Sequence, residues 1–183
     1  MTSSLELRTE RLVLRRFRSD DLAPFAAMNA DPRVMEYFEK TVPLDENPRL
    51  IEKIERGFAD HGFGWWAVEI PGVTSFAGFT GISVPEFKTH FTPCVETGWR
   101  FAFDYWKRGY ATEAARAALA FGFEQVGLRE IVAFTARGNV RSRRVMEKLG
   151  MTYNPADDFD HPGISEGHPL RPHVLYRSRR GAP

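Results

Sequence analysis

Apolar and polar residues alternate along this chain with a period of two in some segments and near 3.6 in others, which predicts strands and helices respectively. The longest alternation, from Cys94 to Phe103, predicts a strand. One face of this strand would carry Val95, Thr97, Trp99, Phe101 and Phe103, and the other would carry Glu96, Gly98, Arg100 and Ala102. Apolar residues then recur at helical spacing from Ala111 to about Gln125, which predicts an amphipathic helix that covers a sheet.

The remaining segments extend this pattern in both directions. Strands are also predicted at 12–17, 65–70, 76–83, 130–135 and 173–176, and helices after Ser19 or Asp20, over 47–60 and over 139–149. Pro71 and Gly72 lie between two of the strands and predict a hairpin. The strand–helix–strand–helix order from 94 to 150 implies at least one parallel crossover. We therefore expect an α/β fold with hairpins toward the N-terminus.

Composition narrows the classes of function. The 183 residues, 43% of them hydrophobic, suit a single domain spanning 1–183 with a substantial core. With 25 basic and 24 acidic side chains, the net charge of +1 gives no general attraction to nucleic acid or to a membrane. No apolar run approaches the ~20 residues of a membrane span, the first residues do not resemble a signal peptide, and the single cysteine, Cys94, fits a reducing compartment. We expect a soluble, cytoplasmic protein.

Two short stretches about thirty residues apart carry the candidate chemistry. The first, from Tyr105 to Ala114, combines a basic turn containing Gly109 with the start of an alanine-rich helix, where exposed N–H groups suit a phosphate. The second, from Asn139 to Gly150, is typical of a helix with a polar start and a glycine stop. Taken alone, the first stretch is equally consistent with a surface turn before an ordinary helix.

Together the two stretches resemble the acyl-CoA-binding core of the GNAT superfamily of N-acetyltransferases, and most closely its branch that acetylates ribosomal-protein N-termini. The superfamily's first signature, Gln/Arg-x-x-Gly-x-Gly/Ala, is matched at Gly109 and Ala111, whereas Trp106 occupies its first position. The branch's usual wording, Trp-Gly-Lys/Arg-Gly-Tyr-Ala-Thr-Glu-Ala, is followed except at Lys107, where glycine is common. The second signature, Asn-x-x-Ser followed by an apolar residue and Glu-Lys-Leu-Gly, is met in the second stretch.

The resemblance implies a GNAT-like mixed, splayed central sheet flanked by helices, with acetyl-CoA as co-substrate and no metal. The cofactor-binding core would be about 94–150, with the pyrophosphate on backbone N–H groups around 108–112 and the pantetheine along the end of the central strand. The implied cofactor-binding residues are Phe101, Phe103, Lys107, Arg108, Gly109, Tyr110, Ala111, Thr112, Asn139 and Ser142. A plain helix cap is the alternative for Asn139.

Two residues are expected to carry catalysis by direct attack of an amine in a ternary complex. Glu96 lies on the central strand, where the resemblance places a glutamate near the reacting centre, and it would accept the amine proton directly or through water. A solvent-facing charge on a sheet is the alternative. Ser142 shares a helix face with Met146, which stands where many relatives carry a tyrosine as the acid for the departing thiolate. The resemblance therefore favours Ser142 in that role, and a bond to its own helix is the alternative.

The acceptor is expected to be a primary amine, either a protein or peptide N-terminus or a small molecule, and the sequence does not choose between them. Residues 154–172, a long stretch without periodicity, are expected to form a loop that walls the acceptor site. Trp65 and Trp66 should divide, one into the core and one toward the cleft. A homodimer is compatible with the resemblance, but the sequence carries no evidence for it.

Other features of the sequence bear on alternative functions. His161, His168 and His173 lack a zinc spacing, and the cluster Arg177, Arg179 and Arg180 is expected to be a solvated tail. A non-catalytic acyl-CoA-binding or regulatory module with the same fold is the rival function, because of the departures at Trp106 and Met146. A P-loop nucleotide hydrolase is excluded, because the chain has no Gly-x-x-x-x-Gly-Lys-Ser/Thr sequence.

Overall fold

The computed structural model describes residues 5–181, which form one mixed β-sheet with α-helices on both faces. The strands are β1 (Leu7–Arg8), β2 (Val13–Arg15), β3 (Trp65–Ile70), β4 (Thr74–Ser83), β5 (Glu96–Phe101), β6 (Glu130–Ala136), β7 (Thr152–Tyr153), β8 (Phe159–Asp160) and β9 (Pro172–Arg179). The helices are α1 (Leu22–Ala30), α2 (Asn47–His61), α3 (Tyr110–Glu124) and α4 (Val140–Lys148). The expected α/β architecture with N-terminal hairpins is therefore confirmed.

The sheet opens at its centre. Its strand order is β1-β2-β3-β4-β5-β6-β9-β7, with β8 beside β9, and the neighbours are antiparallel except for β5 and β6. Strand β5 pairs with β4 over six residues but with β6 only where Glu96 faces Val132. The strands diverge beyond that point, so the edge of β5 from Thr97 to Phe101 faces a gap rather than a neighbouring strand. This divergence is the splay that the resemblance implies.

The two faces of the sheet carry different helices. Residues 79 and 82 of β4 point to opposite faces because side chains alternate along a strand. Helix α1 lies over the first face, where the ring of Phe25 is 5.8 Å from that of Phe79. Helix α3 lies over the second face, where Gly122 approaches Ile82 so closely that an added Cβ would be 3.2 Å from its Cδ1. Met146 of α4 packs on this second face too, so the first face is left to the α1–α2 side of the molecule.

Several predicted strand ends were wrong: of 12–17 only Val13–Arg15 is a strand, and the strand predicted from 94 begins at Glu96. The strand predicted to reach Phe103 ends at Phe101, because the indole N–H of Trp106 donates to the Phe101 carbonyl (2.8 Å) and a short 3₁₀ turn begins at Phe103. The last strand continues to Arg179, so the predicted solvated tail is also wrong for part of the cluster. Arg177 pairs with Asp157 and Glu130, and Arg179 with Glu130.

The core lies between the sheet and its helices. Trp66 is fully buried, while Trp65 is partly exposed and lines a cleft, which confirms the expected division of the two tryptophans. The guanidinium of Arg15, 3% exposed, is neutralised by Asp21 at 2.7 Å and by Glu69 at 2.9 Å. Between residues 5 and 181 no helix has both the length and the apolar character to cross a membrane.

Candidate active site

A cleft of about 1370 Å³ follows the splay between β5 and β6. Its walls come from β5 and β6, from the starts of α3 and α4, from the segment between α1 and α2, and from the segment after β7. Most of the predicted cofactor-binding residues line it: Phe101, Lys107, Gly109, Tyr110, Ala111, Thr112, Asn139 and Ser142. Thus the two polar stretches of the sequence meet across one opening.

Two of the predicted cofactor-binding residues do not line this cleft. Phe103 begins the 3₁₀ turn, is 40% exposed, and carries the guanidinium of Arg33 3.9 Å above its ring centre. The carbonyl of Arg108 accepts a hydrogen bond from Nη1 of Arg11 at 3.1 Å. Both residues therefore flank the cleft from outside.

The start of α3 has the geometry of an anion site. Gly109 is its N-cap with a φ of 83°, and the N–H of Glu113, which donates to the Gly109 carbonyl at 3.0 Å, is the first of the helix with a backbone partner among the described residues. The N–H groups of residues 110–112 are thus left for a ligand. Lys107, where the resembled motif has glycine, holds a φ of 60°, a left-handed conformation that favours glycine.

The loop before α3 is held by the turn between β1 and β2, through residues to which the sequence alone assigns no role. Glu113 accepts from the Thr9 hydroxyl at 2.6 Å, from the Arg11 backbone N–H at 2.9 Å and from Arg11 Nε at 2.7 Å. The guanidinium of Arg11 also lies 4.8 Å from the ring centre of Tyr110. Two features of the sequence could have indicated this contact. One is a carboxylate in the first turn of the predicted helix, and the other is the Thr-Glu-Arg run near the N-terminus.

The start of α4 is a capped helix. Oδ1 of Asn139 accepts from the N–H of Ser142 at 3.1 Å, and its Nδ2 donates to Oγ1 of Thr135 at 2.9 Å. The amide of Asn139 is therefore engaged by the protein at both ends, as the helix-cap alternative expects. Within residues 5–181, the Ser142 hydroxyl has no hydrogen-bond partner in the chain and lies on the cleft wall. Met146 is 1% exposed and packs in the core.

Glu96 lies at the vertex of the splay, where β5 and β6 still pair. The hydroxyl of Ser83 on the neighbouring strand donates to its Oε1 at 2.9 Å. Burial raises the pKa of Glu96 to about 7, and the opposing effects of the Ser83 hydrogen bond and the Lys53 charge do not cancel this rise. A carboxylate with such a pKa can accept a proton at neutral pH and release it again.

The first face of the sheet forms an aromatic chamber beside Glu96. Gly98 and Trp65 make its floor, since a Cβ on Gly98 would be 3.1 Å from the Trp65 ring. From the segment 154–172, His161, Gly163 and Ile164 line the cleft. The ring of His161 lies 4.9 Å from that of His173. Burial lowers the pKa of His161 and lowers that of His173 to about 4, so both rings are neutral surfaces of the chamber at neutral pH.

Cys94 lies two residues before Glu96 but is not arranged for chemistry. It is half-buried against the cluster of Phe91, Val132 and Leu175, and burial raises its thiol pKa to about 11. A protonated thiol is a poor nucleophile. The interpretation of Cys94 as a packing residue fits this environment. Within residues 5–181 no three His, Cys, Asp or Glu side chains are grouped to hold a metal ion.

Comparison with known proteins identifies the family. The family model described as Acetyltransferase (GNAT) domain matches residues 11–152. The chain belongs to the GNAT acetyltransferase family. YkkB of Bacillus subtilis, an uncharacterised protein, is 34% identical over 155 residues, covering 84% of this chain and 89% of YkkB.

Solved GNAT structures share the whole fold. The crystal structure of an acetyltransferase (GNAT family) from Bacillus anthracis matches with a TM-score of 0.77 and 27% identity, covering 96% of this chain and 98% of that one. The ribosomal-protein-S5-alanine acetyltransferase of Vibrio fischeri matches with a TM-score of 0.73 and 16% identity, covering 96% of both chains. At that identity the second match establishes a common fold only, so similarity in acceptor remains a prediction.

GNAT acetyltransferases use acetyl-CoA, and the cleft of this GNAT chain fits such a molecule. The unpartnered N–H groups at the start of α3 suit the pyrophosphate, and the free edge of β5 offers backbone groups to the amides of pantetheine. The helix start and the strand edge belong to the same opening. These residues would hold the co-substrate without any metal ligand.

Proposed function

We propose that this protein is an acetyl-CoA-dependent N-acetyltransferase that acetylates a primary amine by direct attack in a ternary complex. One observation carries the proposal: a carboxylate with a pKa near 7, on Glu96, shares a single cleft with the free helix start at 110–112. The first group suits proton acceptance from an amine, and the second suits a diphosphate. A GNAT domain that keeps both has the parts that acetyl transfer requires.

Acetyl-CoA supplies a thioester, whose C–S bond breaks as the amine nitrogen forms the new amide bond. Glu96 accepts the proton that the amine loses, directly or through one water. Ser142 is the proposed proton donor to the departing thiolate, because Met146 has no proton to donate and is buried in the core. The demand on Ser142 is modest, since a thiol with a pKa of about 8.5 is a good leaving group near neutral pH.

Binding of coenzyme A is the first test. We expect calorimetric titration of CoA to give saturable heat, and Gly109→Ala to weaken it about tenfold or more, because the added methyl strains the positive φ and lies 3.3 Å from Nη2 of Arg11. Gly127→Ala is the matched control: its φ is 80°, with nothing within 4 Å of the added Cβ. Absence of heat with folded wild-type protein would overturn the proposal.

Turnover is the second test, and it distinguishes an enzyme from a non-catalytic acyl-CoA-binding module. Thiol release from acetyl-CoA is measured with a panel of N-terminal peptides and small primary amines. The proposed enzyme releases thiol in the presence of at least one acceptor class, with one acetyl amide formed per thiol. A non-catalytic acyl-CoA-binding module would give CoA heat without any acceptor-dependent release.

A further inference from the structure

Arg100 is a charged residue in the cleft that the proposed chemistry does not use. It lies on β5, on the same face as Glu96 and four residues further along, and it lines the cleft. Among residues 5–181, Oδ1 of Asn29 is the only hydrogen-bond acceptor that its side chain reaches, at 2.7 Å. Its Nε is buried and has no partner within that range. Of five N–H donors on this guanidinium, most are therefore left for something else.

The lack of a counter-charge distinguishes the partly buried Arg100 from Arg15, a buried arginine on the same side of the sheet. Arg15 is surrounded by two carboxylates, Asp21 and Glu69, whose bonds raise its pKa. Arg100 meets no carboxylate of the described residues, and burial lowers its pKa to about 10. A buried charge is normally paired, because an unpaired one is costly to desolvate. A ligand anion would supply the pair that the chain does not.

The guanidinium of Arg100 is also held in place. It lies 4.2 Å from the ring centre of Phe38 and 5.3 Å from that of Phe79. Asn29, which accepts from it, is fully buried and donates in turn to Oδ1 of Asn47 at 2.9 Å. Aromatic stacking and a fixed amide keep the planar fork oriented, which favours two-point recognition of a carboxylate.

We propose that Arg100 binds the carboxylate of the acceptor, and that the acceptor is a short peptide with both a free N-terminal amine and a free carboxylate. This inference rests on the proposed function, because it places the reacting amine at Glu96. Between Glu96 and Arg100 the strand presents only Gly98, with Trp65 beside it, so an extended chain can lie across this floor.

The spacing of residues 96 and 100 along the strand sets the length of the acceptor. Residues 96 and 100 are about 13 Å apart along β5, at ~3.3 Å per residue. An α-amino acid carries its amine and carboxylate on one carbon and is too short to meet both groups. An extended chain spans ~3.3–3.6 Å per residue, so three or four residues match. The lengths at which acetylation is fastest should therefore be tripeptides and tetrapeptides.

The test compares peptides that differ only in the charge at one end. Ala-Gly, Ala-Gly-Gly and Ala-Gly-Gly-Gly are each offered as the free acid and as the C-terminal amide, and kcat/KM and calorimetric Kd for the protein–CoA complex are measured. We expect the acid of the tri- or tetrapeptide to be preferred about tenfold or more over its amide. Equal values for acid and amide at every length, or no binding of either form, would overturn the inference.

Variants at Arg100 test whether its guanidinium is the group that binds the acceptor carboxylate. Arg100→Gln should bring the acid-to-amide ratio close to one while the KM for acetyl-CoA stays unchanged, and Arg100→Lys, which keeps the charge but not the fork, should retain part of the preference. The wild-type comparison of acid with amide stands even if a variant folds poorly. A raised KM for acetyl-CoA with the ratio intact would assign Arg100 to the cofactor phosphates instead. Failure of the proposed function is distinguished by absent CoA heat.

Discussion

Glu96 owes its raised pKa to its place in the sheet. It is the residue at which β5 and β6 still pair, so its carboxylate is enclosed by the sheet yet opens into the cleft. Burial raises its pKa to about 7, which makes the carboxylate a stronger base than an exposed glutamate. A fully exposed glutamate would stay charged at neutral pH but would take a proton from an ammonium far less readily.

Replacement of Glu96 should remove a pH-dependent step. In the wild type we expect turnover at saturating substrates to fall as pH decreases below about 7, because Glu96 becomes protonated. Glu96→Gln should lower turnover by roughly 10²–10⁴-fold and abolish this dependence. Ser142→Ala is the control: it should lower turnover at every pH and keep the pH dependence. Wild-type turnover in Glu96→Gln across the range would refute the assignment.

The same pKa can be tested without any acceptor. Folding raises the pKa of Glu96 from 4.5 to about 7, so the stability that its protonated form contributes is complete below pH 4.5 and is lost as the pH rises to about 7. The melting temperature of Glu96→Gln relative to wild type should therefore increase as the pH rises from 5 to 8. A difference that does not change with pH would show that this carboxyl group titrates normally.

At the scale of elements, the start of α3, which is the proposed phosphate site, is held in place by another part of the chain. Burial alone would raise the pKa of Glu113, but hydrogen bonds from Thr9 and Arg11 outweigh burial and hold the pKa below its usual value. Glu113 remains charged and joins strand β2 and the residues before it to the first turn of α3. Arg11 extends this contact to the carbonyl of Arg108.

Loss of this contact should affect binding of acetyl-CoA more than turnover. Glu113→Ala is expected to raise the KM for acetyl-CoA about tenfold and to change kcat less than twofold, because the N–H groups of 110–112 lose their fixed orientation while Glu96 is untouched. Glu124→Ala, at the exposed end of the same helix, is the matched control. Equal KM values for the two variants would mean that the loop keeps its shape without Glu113.

Elements long enough to show a clear hydrophobic periodicity could be predicted from the sequence. Contacts between distant segments could not. The hairpin β3–β4, the helices α2 and α3 and the crossover to β6 follow from periodicity and turn residues. Strands β1, β7 and β8 have two residues each, which is too short for any period to be visible. The end of β5 depends on the Trp106 indole, a contact that no local pattern reveals.

The candidate site residues also divide into those that a local motif indicates and those that depend on distant contacts. Glu96, Ser142 and the loop 107–112 were proposed because short motifs resemble a known family, and all of them except Arg108 line the cleft. Arg100 was assigned to a strand face, but its missing counter-charge depends on side chains from α1 and the segment after it. An uncompensated charge is a property of the folded surroundings, so the sequence alone cannot display it.

At the scale of the whole molecule, one segment spans the splay. We call residues 31–43, between α1 and α2, the bridging segment. Its Glu36 pairs with Arg141 near the start of α4, and its Glu39 accepts a hydrogen bond from Ser165. Both partners follow β6 in the chain and belong to the half of the sheet beyond the splay. The segment thus adds polar contacts between two halves that also share one short strand pairing, the helices beneath, and the packing of Phe87 and Phe91 against aromatic rings beyond the splay.

Release of the bridging segment should loosen the acceptor chamber and leave the fold intact. Exposed ion pairs contribute at most about 1 kcal/mol each, so Glu36→Gln combined with Ser165→Ala should lower the melting temperature only slightly. The amides of the bridging segment should then exchange hydrogen about fivefold faster, and the acceptor KM should rise by a similar factor while the KM for acetyl-CoA stays constant. Arg8→Gln removes the exposed pair between Arg8 and Glu6, which does not cross the splay, and should change neither quantity. Unchanged exchange in the double variant would mean that the other contacts across the splay suffice to join the two halves, and that acceptor binding does not depend on this bridge.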